Sequence, residues 1–258
     1  MHTVVLKAPG GTRGIYTDSN QDSWTTTDVN IWLEGALGKL PNRLIYNDEL
    51  AGEQADSYHA HAKGVLEWDD TRVQWLIHSC PNWPAAGSWA LPESVQRFGQ
   101  SFLLLELPAA VLPTIMDHLE IMEVHASKAI SSEKKDFDVA ELFVNTLHVA
   151  KSRAWNKDLF EDGIAGIMHG GMFVESWMRP PAPDTADVKN IGEIRWPDGT
   201  TYEETQDHSK YAFSSQKDNP WVYVGDINHM RSQARRGGGG AIIRGAALWS
   251  AFYSLYKA

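Results

Sequence analysis

Asp207-His208-Ser209-Lys210-Tyr211-Ala212-Phe213 has a counterpart far upstream, His61-Ala62-Lys63-Gly64-Val65-Leu66, and the chain is organised around that pair. In extended backbone, side chains at i and i+2 share a face, so each His-x-Lys sets an imidazole beside a fixed cation. The sequence downstream strengthens the match. Trp75-Leu-Ile-His78-Ser-Cys-Pro-Asn82 follows the first copy, and Trp221-Val-Tyr-Val-Gly225-Asp-Ile-Asn228 follows the second. Each segment opens on Trp and closes on Asn. The motif His lies 21 residues before Asn82 in one copy and 20 before Asn228 in the other, with the one-residue difference assigned before the Trp. This is an internal repeat.

Two imidazoles, two ammonium groups and two carboxamides converging on one point would suit a phosphodiester approaching its transition state. One neutral His attacks phosphorus while the other, protonated, gives its proton to the leaving oxygen. Lys63, Lys210, Asn82 and Asn228 neutralise charge on the non-bridging oxygens, a role metal ions fill elsewhere. The expected site therefore needs no metal and no cofactor.

Several blocks carry a resemblance to a known family: His61-Ala-Lys-Gly-Val-Leu, His78-Ser-Cys-Pro-Asn-Trp-Pro, Phe98-Gly-Gln-Ser-Phe-Leu, Asp207-His-Ser-Lys, Trp221-Val-Tyr-Val-Gly-Asp-Ile-Asn and Arg236-Gly-Gly-Gly. In this order they resemble the deoxyribonuclease II (acid DNase) family, which is related to phospholipase D-like enzymes. Tyr46-Asn47-Asp48 and Ala247-Leu248-Trp249 extend the similarity, which is weakest between about 108 and 190. The resemblance implies an α/β, phospholipase D-like fold of two pseudo-symmetric halves, each a mixed sheet with packed helices. It also implies a metal-independent endonuclease acting on double-stranded DNA through a phosphohistidine, leaving 3′-phosphate and 5′-hydroxyl ends, with an acidic optimum. In the order usual for phospholipase D-like enzymes, His61 would be the nucleophile and His208 the general acid. Other phosphodiester hydrolysis by the same site, or DNA binding without catalysis, are the alternatives.

The chain has 258 residues, 43% of them hydrophobic, with 11 Trp and a formal charge of −10. That composition builds a substantial core. The acidic balance excludes a generally basic, nucleic-acid-coating surface, so DNA contact depends on a local patch. A single cysteine, Cys80, rules out an intramolecular disulfide framework and argues against a thiolate zinc site. Met1–Pro9 has only a short apolar run, Val4-Val5-Leu6, without the longer h-region of a signal peptide. No stretch has transmembrane length. The expectation is a soluble, membrane-independent protein, cytoplasmic or exported by a route not visible in the sequence. A homodimer would suit so short a chain by enlarging the DNA-embracing surface.

Along the chain, the reading is one domain over 1–258, with halves at 1–107 and 190–258 around a helical middle, 108–189. Residues 3–7 and 43–46 read as strands. Gly64–Trp68 and Val73–Ile77 read as a hairpin turning at Asp69-Asp70, with Lys217-Asp-Asn-Pro220 as the matching turn of the second copy. Pro108–Met122 and Val139–Ala150 carry a helical apolar period. Pro180–Asp187 reads as an exposed connection. From His208 to Arg236, Lys210, Lys217, Arg231, Arg235 and Arg236 outnumber Asp218 and Asp226, a usable basic patch. Arg231, Arg235 and Arg236 are candidate phosphate contacts, with Arg235-Arg236 followed by four glycines that let backbone N–H groups approach an anion. His78 and Trp83 are further substrate-binding candidates, Trp83 and Trp89 as base-stacking surfaces. His59 and His61 form an H-x-H pair without a convincing set of further metal ligands. His125, His148 and His169 read as ordinary surface or packing residues.

Overall fold

In the computed structural model, described for residues 1–19, 21–48, 59–85, 87–127 and 135–257, the apolar runs become strands of two large sheets. The first part supplies β1 (His2–Lys7), β2 (Arg13–Asp18), β3 (Thr25–Asp28), α1 (Val29–Ala36), β4 (Asn42–Tyr46), β5 (Gly64–Trp68), β6 (Arg72–His78), α2 (Glu93–Gln96) and β7 (Gln100–Pro108). Next come α3 (Leu112–Ile121), β8 (Phe137–Phe143), β9 (Thr146–Lys151), α4 (Ala165–Met168), β10 (Met172–Ser176) and β11 (Val188–Asn190). The last part adds a small hairpin, β12 (Glu193–Arg195) and β13 (Thr201–Glu203), then β14 (Lys210–Ser214), β15 (Trp221–Gly225), β16 (Gly238–Arg244) and α5 (Ala246–Lys257).

The first sheet runs β3-β2-β1-β7-β6-β5-β4, antiparallel throughout. The second runs β11-β10-β14-β15-β16-β9-β8 and is mixed only through the parallel β10–β11 pair. In chain order and sheet position, β1, β4, β5, β6 and β7 match β9, β10, β14, β15 and β16.

Both faces of each sheet are covered, which explains why the central strands read as continuous apolar runs. Trp75 and Ile77 of β6, and Leu103 and Leu105 of β7, point into a shared core with Val222 and Val224 of β15 and Ala241 and Ile243 of β16. The alternate residues point outward. Leu76, Phe102 and Leu104 pack under Leu33, Leu37, Val95 and Trp83, while Trp221, Tyr223 and Ile242 pack under Phe160, Ile164 and Met168. Helix α1 starts where the Asp28 carboxylate accepts the Ile31 N–H at 3.1 Å, and it lays Val29 and Leu33 on the sheet.

Two expectations are corrected here. The middle of the chain is only partly helical: besides α3 and α4 it holds β8, β9, β10 and β11, which all belong to the second sheet. Val139–Ala150 in particular is a hairpin turning at Asn145, whose φ of 62° is one that Asn tolerates. Val149 faces the outer core of that sheet and Ala150 the shared core, a period of two rather than 3.6. Pro108–Met122 is helical over α3, after a 3₁₀ turn at Ala109–Val111.

The internal repeat is real, but its register differs from the Trp-to-Trp match. Gly64 pairs with Ile77 and Tyr211 pairs with Val224, so the two hairpins are equally long. Trp75 therefore corresponds to Val222, not Trp221. Trp75 faces the shared core and Trp221 the outer one, as a one-residue slip in a strand requires. The extra residue lies after the strand instead, in the turn that carries Asn82.

Candidate active site

The two His-x-Lys segments sit at one end of the sheet sandwich, each at a strand entrance: Lys63 immediately precedes β5 and Lys210 opens β14. Only the second lysine lies within a strand. Each histidine is anchored by the opposite half. The His61 N–H donates to Gly237 O and the His208 N–H to Gly99 O, both at 2.9 Å. Those carbonyls immediately precede β16 and β7, which are equivalent strands. A Cβ on Gly237 would overlap the Met122 carbonyl, and one on Gly99 the Asp207 carboxyl. Gly237→Ala is accordingly expected to destabilise the protein by about 1–3 kcal/mol or more. A urea melt indistinguishable from wild type would contradict the crossing.

The histidines have different surroundings. His61 Nδ1 lies 3.1 Å from Gln233 Oε1, and its Nε2 lies 3.7 Å from Asp48 Oδ2. Asp48 also receives the buried Lys63 ammonium and, at 3.1 Å, Arg236. Burial acts to raise its pKa, but Lys63, His61 and Arg236 together hold the carboxyl well below the usual range. Burial, Lys63, Lys210 and Arg236 pull His61 well below 6.5 against Asp48. His208 has no such carboxylate in ion-pair contact among the described residues. Its ring is sandwiched between Phe98, at 4.4 Å between centroids, and Trp177, at 4.3 Å. Its Nε2 is buried without a hydrogen-bond partner among the described residues. Burial, then Lys210, Lys63 and Arg179, push its pKa down to about 3. Aromatic faces favour an imidazolium, but burial and three cations outweigh them.

Each lysine's charge acts on both imidazoles, so the two motifs form one electrostatic unit. Lys210 is buried, donates to His208 O at 2.5 Å, and is pushed down to about 7 by burial and by Lys63. Asp226, directly after β15, is buried with one carboxylate oxygen unpartnered among the described residues. Burial raises its pKa well above the usual range against the pull of Lys63 and Lys210. Glu175 on β10 is buried likewise, raised by burial and by Asp207.

The other expected residues divide. Asn228, two residues beyond Asp226 in sequence, is buried, its Oδ1 without a partner among the described residues. Asn82 is half-buried at φ 53°, in the turn that Asn47 ties down through the carbonyls of Cys80 and Trp83. His78 closes β6 with Nδ1 accepting the Cys80 N–H at 3.2 Å, and burial and Lys63 hold it neutral. Trp83 is no open stacking platform: it is 1% exposed and packed edge-on to His78 in the outer core. Of the three arginines only Arg236 reaches the site. Arg231 lies against Pro180–Pro183, and Arg235 faces Asn156 at 3.3 Å. His59 stacks on His125 rather than joining His61, and burial pushes the Cys80 thiol up into an unreactive form. Among the described residues no group of three or more His, Cys, Asp or Glu side chains is arranged to hold a metal ion.

Asp48, Gln233, Phe98, Trp177, Asp226 and Glu175 are site residues that the sequence reading did not single out. Asp48 had one legible signal, its place two residues beyond β4 in the Tyr46-Asn47-Asp48 block.

Two sheets of matching strand order, each bringing one H-x-K segment to a shared end, make this a phospholipase D-like fold. The sequence matches the profile described as Deoxyribonuclease II over residues 4–142 and 125–258. The chain belongs to the deoxyribonuclease II family. It is similar to the Caenorhabditis elegans protein named cell-death-related nuclease 7, 27% identical over 97% of this chain and 82% of that one. It is also similar to a putative deoxyribonuclease-2 of Burkholderia thailandensis, 31% identical over 84% of this chain and 71% of that protein. Rat deoxyribonuclease-2-alpha is 29% identical over 94% of this chain and 83% of its own length.

Proposed function

We propose that the chain cleaves DNA phosphodiesters at the paired H-x-K site through a phosphohistidine, with His208 as nucleophile and His61 as general acid. Family membership makes the protein a deoxyribonuclease, a phosphodiester hydrolase. The role assignment reverses the chain-order expectation, and the unequal surroundings of the two rings carry it. Burial and the nearby cations hold both rings neutral in the free protein, but of the two only His208 has a bare Nε2, which suits attack on phosphorus. Both nitrogens of His61 face acceptors, Gln233 Oε1 and Asp48 Oδ2, which suits the imidazolium.

In the first step His208 nitrogen bonds to phosphorus and the P–O5′ bond breaks, the leaving oxygen taking a proton from His61. The product keeps a 5′-hydroxyl. In the second, neutral His61 takes a proton from water as that water attacks phosphorus, breaking the P–N bond and leaving a 3′-phosphate. Lys63, Lys210 and Asn228 face the non-bridging oxygens throughout. An entering phosphate can accept from the Asn228 amide N–H2, while the bare Nε2 of His208 keeps its lone pair for phosphorus. The bound anion raises the pKa of His61, so turnover is fastest below neutrality.

Cleavage is expected to persist in excess EDTA at acid pH. Plasmid nicking followed on a gel, with and without chelator, tests this: abolition by EDTA and recovery with magnesium would refute a site whose positive charge is lysine and arginine.

A further inference from the structure

Two buried lysines lie outside the His-x-Lys motifs, at equivalent places in the two sheets. Lys7 ends β1 and pairs with Gln100, the first residue of β7, while Lys151 ends β9 and pairs with Gly238, the first residue of β16. Both are 0% exposed. Neither makes an ion pair among the described residues; each ammonium is instead ringed by three main-chain carbonyls. Lys7 Nζ donates to Ala8 O at 2.6 Å and to Gly11 O and Gln96 O at 2.9 Å. Lys151 Nζ donates to Gln233 O at 3.1 Å, Ala234 O at 2.9 Å and Arg236 O at 2.6 Å. Burial lowers both to about 8, so both stay charged at neutral and acid pH.

All three carbonyls around Lys151, and Gln96 O beside Lys7, belong to segments that cross to the opposite half; Ala8 O and Gly11 O lie in the β1–β2 turn, whose Gly10 and Gly11 N–H groups donate to the same Gln96 O. Gln96 ends α2, and three residues on Gly99 O accepts the His208 N–H while Phe98 covers the His208 ring. Gln233, Ala234 and Arg236 form the matching segment. There Gln233 Oε1 meets His61 Nδ1, Arg236 grips Asp48, and Gly237 O accepts the His61 N–H. We propose that Lys7 and Lys151 are paired positioning residues that act crosswise: Lys7 in the first half fixes His208 of the second, and Lys151 in the second half fixes His61 of the first. A buried ammonium donating three charge-assisted hydrogen bonds holds a loop more tightly than an apolar contact, at a desolvation cost that a merely space-filling position would not carry. Reacting groups need placement to a fraction of an ångström, which a loop without such an anchor does not provide. The catalytic part of this inference rests on the two-histidine reading.

The test uses 15N-histidine NMR of the full chain without DNA, comparing wild type with Lys7→Met and Lys151→Met, together with kcat and KM on a DNA substrate. Lys151→Met should shift the His61 ring resonances and leave His208 in place. Lys7→Met should shift His208, whose resonances are set by the ring currents of Phe98 and Trp177, and leave His61 in place. In each variant kcat should fall on the order of 10- to 100-fold with KM little changed. Lys7→Arg and Lys151→Arg, which keep the cation but crowd the carbonyl ring, are read in the same way should a Met variant fail to fold. Shifts confined to the histidine of the same half, equal shifts in both, or no shift in either would overturn the proposal. The resonances are read without turnover. A wild-type protein that cuts no DNA would therefore sink the nuclease mechanism while leaving the crosswise pattern to be judged on its own.

Discussion

His208→Ala is expected to lose both DNA cleavage and the phosphoenzyme, by about 10⁴-fold or more, because the other motif imidazole, His61, has both nitrogens turned to Gln233 and Asp48 rather than to phosphorus. His61→Ala should behave differently. On DNA it should lose about 10²–10⁴-fold, the usual worth of a positioned proton donor. With a p-nitrophenyl phosphodiester, whose leaving group departs without a proton, it should still form the phosphohistidine at a substantial fraction of the wild-type rate. It should then hydrolyse that intermediate slowly, since His61 also activates the water. Quenching the reaction in alkali, where phosphohistidine survives, and counting labelled protein separates the variants. The opposite pattern, label on His208→Ala and none on His61→Ala, would restore the chain-order roles. The backbone hydrogen bonds to Gly237 and Gly99 do not involve the side chains removed, and a circular-dichroism melt of each variant checks that the fold is kept.

How much of this was readable beforehand follows from the physics of each feature. The H-x-K pair was legible because His and Lys at i and i+2 carry chemistry in the sequence itself, and the hairpins behind them because their turns hold Asp69-Asp70 and Asn219-Pro220. The register was not, because strands buried on both faces lose the alternation that would separate Trp75 from Trp221. The β8–β9 hairpin passed for a helix because β9 is buried along nearly its whole length and the edge strand β8 is half-buried over 137–140, so neither shows a clean alternation. Charged partners of the site were harder still. Asp48 reaches Lys63 across 15 residues and Arg236 across 188, and Gln233 reaches His61 across 172. No periodicity reports a contact made by the meeting of two halves. Arg231, Arg235 and Arg236 shared the basic-patch signal and were given the same role, although Arg236 alone also opened a resemblance block, and only Arg236 lies where the crossing segment descends on Asp48. Trp83 failed as a stacking surface because an aromatic beside a candidate site is as well used in packing as in binding.

The free protein is expected to lose stability in acid, while a phosphate ligand restores more of it there than at neutral pH. Burial, the largest cause in each case, lowers the pKa of six histidines: His2 to about 4, His208 to about 3, and His61, His78, His118 and His148 below 6.5. A histidine with a lower pKa folded than unfolded binds fewer protons in the native state. Its stabilising contribution is full above about pH 6.5 and is lost as pH falls through that value towards the folded pKa. Glu175, Asp207, Asp226 and Glu204 work in the other direction. Their raised pKa values mean that the native state takes up protons first, so the strain of burying their charge is relieved as pH falls towards about 4. Six groups against four leaves the histidines ahead between about pH 6.5 and 4.5. The weakest point is away from the site, where His118 Nδ1 and His148 Nδ1 lie 2.7 Å apart, an arrangement with room for one proton between them. His148 is also packed on Trp75 in the shared core, so charging both rings opposes the contact between the sheets. The melting temperature should drop on the order of 10 °C between about pH 7 and pH 5. Inorganic phosphate or a non-cleavable oligonucleotide should recover part of that loss by favouring protonated His61. Thermal melts at both pH values, with and without ligand, decide the matter: a melting temperature that is flat or rising into acid would mean that these histidines are not held neutral.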